Sequence, residues 1–241
     1  MEVISEYLKT SRLYKTINFS LVVIGFLLFR PIATIIDVLS IIFLFLIFGV
    51  LIYGGLYSLN YIFDQRDKII KKQISNVFCI AVANILLGLL LIFIFYKQIV
   101  ALIVLLCIIN ILYTILIRPY SLILAMILIA TTGPIKVLIG TTLANGVIVN
   151  IAPLLISHYL SSVAFHALKN YYKNILSFVD MIKIVGMIIV LLIILTLISI
   201  LIFKVYYSII FVLFTVLNTS LTLKNNKYRS LSKYIMHIRT R

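Results

Sequence analysis

The chain has 241 residues, 64% of them hydrophobic and 11% charged, with a mean hydropathy of +1.25. A soluble domain of this size cannot hide so much apolar surface, because much of any folded surface must meet its solvent, and that solvent is therefore lipid. The formal net charge of +15 raises nucleic acid as a partner. No aromatic platform or basic helix face accompanies it, so no nucleic-acid binding is expected, and the charge is read as a topology signal.

The apolar runs are continuous rather than alternating, which selects helices over a barrel. At roughly 20 residues per crossing, about eight spans fit. The expected fold class is all-α, a polytopic transmembrane helical bundle forming a single domain over residues 1–241. Residues 1–16 set Leu8, Leu13 and Tyr14 beside Lys9, Arg12 and Lys15 and predict an interfacial N-terminal helix. The first residues lack a basic start and a small-residue cleavage site, so the first span is expected to be retained.

Span one is predicted over 17–29 and is broken by Arg30-Pro31. Span two covers 35–60, followed by a charged loop over 64–73. Span three covers 77–96, Lys97-Gln98 makes a tight turn, and span four covers 100–117, ended by Arg118-Pro119. Span five, over 120–143, carries Thr131-Thr132-Gly133-Pro134 and then Lys136. Gly-Pro predicts a kink that frees backbone groups, and a lysine beside it is costly in lipid, so it is expected to face the bundle interior or a wet cavity. Asn145-Gly146 is a turn signal. Span six covers 147–168, span seven 184–203 and span eight 206–223, and the tail 224–241 is basic. Cys79 and Cys107 fall in different apolar runs, with no disulfide or metal spacing. His158 and His166 make no metal spacing with a second ligand.

Orientation follows from Lys and Arg. With the N-terminus in the cytoplasm and eight alternating spans, seventeen of the 21 basic residues fall in cytoplasmic segments. An integral, multi-pass protein with both termini cytoplasmic is expected. The tail's basic run fits either a topology signal or contact with anionic membrane lipid.

Asn60, Asp64 and Asp67 are spaced i, i+4, i+7 at the cytoplasmic end of span two, on one face of a continuing helix. Tyr113-Thr114-Ile-Leu-Ile-Arg118 closes span four on the same side, and Lys136 with Gly140 lies in span five. Carboxylates with an amide oxygen suit a hard cation such as Mg²⁺, while Arg and Lys suit phosphate. Together they read as a site for a metal-bound diphosphate on a lipid tail. The blander reading is that Asp64 and Asp67 balance Arg66, Lys68, Lys71 and Lys72, that Arg118 is a topogenic flank, and that Lys136 snorkels.

Asn60-Tyr61-Ile-Phe-Asp64-Gln-Arg-Asp67-Lys68 resembles the Asn-Asp-x-x-Asp-x-x-x-Asp motif of the UbiA-type intramembrane prenyltransferases. Tyr113-Thr114-x-x-x-Arg118 is similar to that family's Tyr-Ser-x-x-x-Lys motif. Lys136 and Gly140 match the basic residue and glycine of its polyprenyl-phosphoribose branch. The resemblance covers most of residues 5–175, in order.

It implies transfer of an isoprenyl or polyprenyl group from its diphosphate to an acceptor, with Mg²⁺. By that resemblance Asn60, Asp64 and Asp67 hold metal. Asp64 and Lys136 are the catalytic pair. Arg118, Lys136, Tyr113, Lys169 and Lys173 bind diphosphate, the two loop lysines in place of missing metal ligands. Tyr61 and Lys68 stand where the family has aspartates, and residues 165–174, the place of its second Asp-rich motif, hold no carboxylate. The alternative is a catalytically silent homologue that binds polyprenyl phosphates, or a membrane transporter or assembly protein.

Overall fold

The computed structural model describes residues 7, 10, 11, 19–30, 32, 34–64, 71–117, 121–146, 148–172, 175–203, 212, 213, 215 and 216; for 64, 71–75, 116, 117, 148–150, 172 and 201–203 it describes the backbone alone. All regular structure among them is helical, with no strand. In chain order the helices are α1 (Ser20–Leu27), α2 (Ile35–Leu44), α3 (Tyr53–Asp64), α4 (Lys71–Phe95), α5 (Val100–Leu112), α6 (Leu122–Ala130), α7 (Thr132–Leu143), α8 (Ile148–Tyr172) and α9 (Phe178–Phe203). A π-helical segment, Phe45–Ile52, joins α2 to α3, and a second, Tyr113–Ile117, extends α5.

Six stretches are long and apolar enough to cross a membrane: Ile35–Phe63, Asn76–Phe95, Lys97–Ile115, Leu122–Leu143, Ile151–Tyr171 and Phe178–Ile200. They match predicted spans two to seven, so the protein is a membrane-spanning helical bundle. Predicted span one contains the eight-residue α1. Span eight, the interfacial helix over 1–16 and the basic tail fall almost wholly outside the described residues. The seventh span starts six residues earlier than predicted, because Ser177 caps α9: its hydroxyl accepts from the Asp180 N–H at 3.1 Å.

Contacts divide the chain into two compact units, one of residues 1–125 with 135–146, the other of 126–134 with 147–241. In the first unit, α2, the π segment and α3 form a continuous rod. Its start is fixed by a capping box. The Thr34 hydroxyl accepts from Asp37 N–H at 3.2 Å, and the Asp37 carboxylate accepts from Thr34 N–H at 3.1 Å. Arg30 pairs with that carboxylate at 2.8 Å. The rod packs on α4 through two glycines. Gly55 lies against Ile85 and the Ala81 carbonyl, and Gly88 lies against Ile52.

The α1–α7 contact in the same unit is closer still. A β-carbon at Gly140 would overlap the Val22 carbonyl, and one at Gly25 would overlap the Val137 carbonyl. Such backbone approach is the usual mode of helix association in lipid, where apolar contact with a neighbour offers little over contact with lipid tails. Helix α7 ends in a Schellman turn. Gly146 N–H donates to Thr141 C=O at 2.8 Å, Asn145 N–H donates to Thr142 C=O at 3.1 Å, and Asn145 takes φ 56°.

The Gly-Pro signal in span five is realised as a break at Thr131, between α6 and α7. Pro134 has no N–H to offer the Ala130 carbonyl and its ring crowds that group. The Thr131 and Thr132 hydroxyls donate to the Leu128 and Ile129 carbonyls at 2.7 and 2.8 Å.

The second unit is built on α8 and α9. Its core joins Met126 and Ala130 to Val163, Ala164, Ala167 and Leu168 of α8 and to Met181, Val185, Ile188 and Leu192 of α9. Gly133 sits against the His158 imidazole, and the Thr215 and Ser161 hydroxyls are 3.0 Å apart.

Candidate functional site

Helix α3 places Tyr53, Tyr57, Asn60 and Asp64 at i, i+4, i+7 and i+11, a single stripe along one face. Asp37 and Asn60 lie at opposite ends of the rod, about 35 Å apart at 1.5 Å per residue, close to the thickness of the hydrocarbon layer. The Asn60–Asp64 end is therefore at one membrane boundary and the Arg30–Asp37 pair at the other.

Asn60 is tied to the end of span four. Its amide makes a short contact with the Thr114 hydroxyl. The same hydroxyl lies 2.7 Å from the Asn110 carbonyl, and Asn110 Nδ2 donates to the Leu106 carbonyl at 2.8 Å. The Thr114 hydroxyl thus faces two acceptors, Asn60 Oδ1 on α3 and the Asn110 carbonyl one turn back on its own helix, and has one proton to offer them. Thr114 and Asn110 are buried, at 8% and 7% exposure, so this polar chain is a fixed feature of the helix interface. The Asn60 amide oxygen, one helical turn before Asp64 on α3, is a hard donor of the type Mg²⁺ accepts.

Lys136 lies deeper. It is buried, and its ammonium is 4.7 Å from the centroid of the Tyr53 ring. That is cation–π distance, worth up to about 2 kcal/mol when desolvated. The expectation that Lys136 turns inward is met. Tyr53 is held edge-on by Phe48 at 5.0 Å and packs on Tyr57 at 5.7 Å. Its hydroxyl is buried with no hydrogen-bond partner among the described residues. Tyr53 and Asn60 are two helical turns apart, about 10 Å of rise.

Of the residues singled out from sequence, Asn60 and the Tyr113–Thr114 pair are brought together, and Lys136 joins the same stripe at Tyr53. Tyr113 opens the π-helical turn and is half-buried. Gly140 serves the α1–α7 contact. Asp64 ends α3 and is described in backbone alone, while Asp67, Arg118 and Lys173 lie outside the described residues. Lys169 is half-buried on α8, in the second unit. Among the described residues no three His, Cys, Asp or Glu side chains group as a metal site. Mg²⁺ needs no such cage, being held by one or two carboxylates and substrate phosphates.

Sequence reading passed over three residues. Thr114 enters it only within a motif, and Asn110 and Tyr53 do not enter it. Asn110 and Thr114 had a legible signal: two polar residues at i, i+4 in an otherwise apolar span. Tyr53 had none, since a tyrosine near a span end is common.

No protein-family model matches the chain, and no curated protein or solved structure is significantly similar to it.

Proposed function

We propose that the protein binds an isoprenyl or polyprenyl diphosphate at the Asn60–Asp64 membrane boundary and transfers the prenyl group to an acceptor. The observation that carries this reading is the Asn60–Thr114 contact, which joins two segments resembling UbiA-type prenyltransferase motifs. Asn60 and Asp64, with Asp67, are the residues to hold Mg²⁺. Arg118, Tyr113 and Lys136 take the diphosphate. Mg²⁺ when bound would neutralise the leaving diphosphate. The C1–O bond breaks with its electron pair on the diphosphate, the acceptor nucleophile bonds to C1, and the acceptor loses a proton.

The charge asymmetry supports an orientation with this boundary and both termini cytoplasmic. The carboxylate-free stretch 165–174 favours a second reading, in which the chain binds polyprenyl phosphates without turning them over.

The test is incubation of the purified, lipid-reconstituted protein with labelled farnesyl diphosphate and Mg²⁺, beside Asp64→Ala. Mg²⁺-dependent binding that Asp64→Ala abolishes, with release of diphosphate, supports transfer. Binding without release supports the second reading. No binding by the wild type sinks both.

A further inference from the structure

The rod of α2, the π segment and α3 keeps one inward face through a change of helix type. Asp37 and Leu44 are seven residues apart, so they share a face of α2, and both are buried. In an unbroken α-helix, at about 100° per residue, Tyr53 would lie about 180° round from Leu44, and Asn60 about 140° round from Asp37. Tyr53 is instead buried on the side of Phe48, and the two rings meet edge-on at 5.0 Å. Residues i and i+5 of an α-helix are about 140° apart and cannot touch in this way. They touch here because Phe45–Ile52 is π-helical, and i→i+5 bonding takes about one residue more for each turn. Phe19 holds this phase from a neighbouring segment, its ring 5.3 Å from that of Phe45 and 6.3 Å from that of Phe48.

Most π-helical features are single turns inside α-helices, and this one runs for eight residues. Over that length it falls behind an α-helix by roughly 150°, the turn made by between one and two α-helical residues. We infer that Phe45–Ile52 is a register element. It stores at least one surplus residue, and so turns the Tyr53–Tyr57–Asn60–Asp64 stripe onto the face that Asp37 and Leu44 occupy. Wound as α-helix at its present length, the rod would aim Asn60 away from Thr114. The partner side has the same construction, since Thr114 lies in the second π segment, Tyr113–Ile117. This role holds whatever the stripe binds.

Removing one residue from the segment tests it. Deletion of Val50 makes Phe48 and Tyr53 i and i+4, which are neighbours on an ordinary α-helix. The segment can then wind as α-helix while everything beyond it keeps its face. With Cys79 and Cys107 replaced by alanine, Thr114→Cys is combined with Leu59→Cys, Asn60→Cys or Tyr61→Cys. The full chain in lipid is treated with a short bis-methanethiosulfonate, and crosslinking is read by gel mobility after protease cleavage between the two positions. At the natural length the Asn60 position is expected to crosslink most. Deletion of Val50 is expected to leave the maximum there. An alanine inserted after Val50 finds no stored slack and is expected to move the maximum to Leu59.

A maximum that moves to Tyr61 when Val50 is deleted overturns the inference, because the rod has then lost one residue of turn with nothing stored to replace it. A Val50 deletion that does not fold overturns it too, since a surplus residue is dispensable. So does an insertion that leaves the maximum at Asn60, which would give the rod slack in both directions and deny the π segment its role. A chain of natural length that crosslinks no better at Asn60 than at its neighbours removes the contact by which the phase is judged, and the inference with it. No ligand enters this assay, so a slipped register leaves the diphosphate reading to its own binding test.

Discussion

Gly140 presses against the carbonyl of Val22, with no room between them for a methyl group. The neighbouring contact, Gly25 on the Val137 carbonyl, has the same character, so α1 and the Lys136-bearing helix meet backbone to backbone. Lys136 is thus carried on a helix whose position depends on two missing side chains.

Gly140→Ala and Gly25→Ala are each expected to destabilise the fold by roughly 1–3 kcal/mol, because the obstacle is backbone and cannot rotate away. Gly186→Ala is the control. Nothing lies within 4 Å of a β-carbon there, so it should be neutral or raise stability by up to about 1 kcal/mol through helix propensity. Thermal unfolding in detergent orders the three. Equal losses at all three would contradict the α1–α7 contact.

Thr114 should matter through its oxygen. Thr114→Val keeps the shape but removes the hydroxyl that meets Asn60 Oδ1, and frees that amide to rotate. Mg²⁺-dependent farnesyl diphosphate binding is expected to weaken about ten-fold, the value of one buried hydrogen bond, and Thr114→Ser should restore most of it. A serine variant as weak as the valine one would show that the methyl, not the hydroxyl, is what Asn60 needs.

At the far end of the rod, Asp37 is a helix cap and not a ligand. Asp37→Ala should cost about 0.5–2 kcal/mol through the lost cap and leave diphosphate affinity unchanged. Arg30 is half-exposed, at 51%, so Arg30→Ala alone should cost under about 1 kcal/mol. A drop in ligand affinity on Asp37→Ala, measured in the same binding assay, would place the functional end of the bundle wrongly.

The Ser161–Thr215 contact predicts a crosslink. With Cys79 and Cys107 replaced by alanine, Ser161→Cys with Thr215→Cys should form a disulfide on mild oxidation, since the two hydroxyl oxygens are 3.0 Å apart. Ser157→Cys with Thr215→Cys, one turn away on α8, should crosslink less. Non-reducing gel mobility after protease cleavage between the two positions reads the difference.

The solvent, the helical class and six of the spans were legible in the sequence, because lipid demands long unbroken apolar runs and backbone bonds satisfied within each helix. Local signals held as well. Asn145-Gly146 turns and Pro134 breaks its helix, each through effects confined to a few residues. The start of the seventh span was missed because polar Asp180 and Lys183 masked a helix that the Ser177 cap begins early.

The candidate site was legible only as a set of residues. Chain order put Asn60, Thr114 and Lys136 at compatible depths, but spacing along separate helices says nothing about which faces meet. Tertiary packing decided that Thr114 meets Asn60, that Lys136 rests on Tyr53, two turns from Asn60 on α3, and that Gly140 is a packing surface. Those choices depend on side-chain contacts between distant segments and on where a glycine lets two backbones close, and one-dimensional periodicity does not encode them.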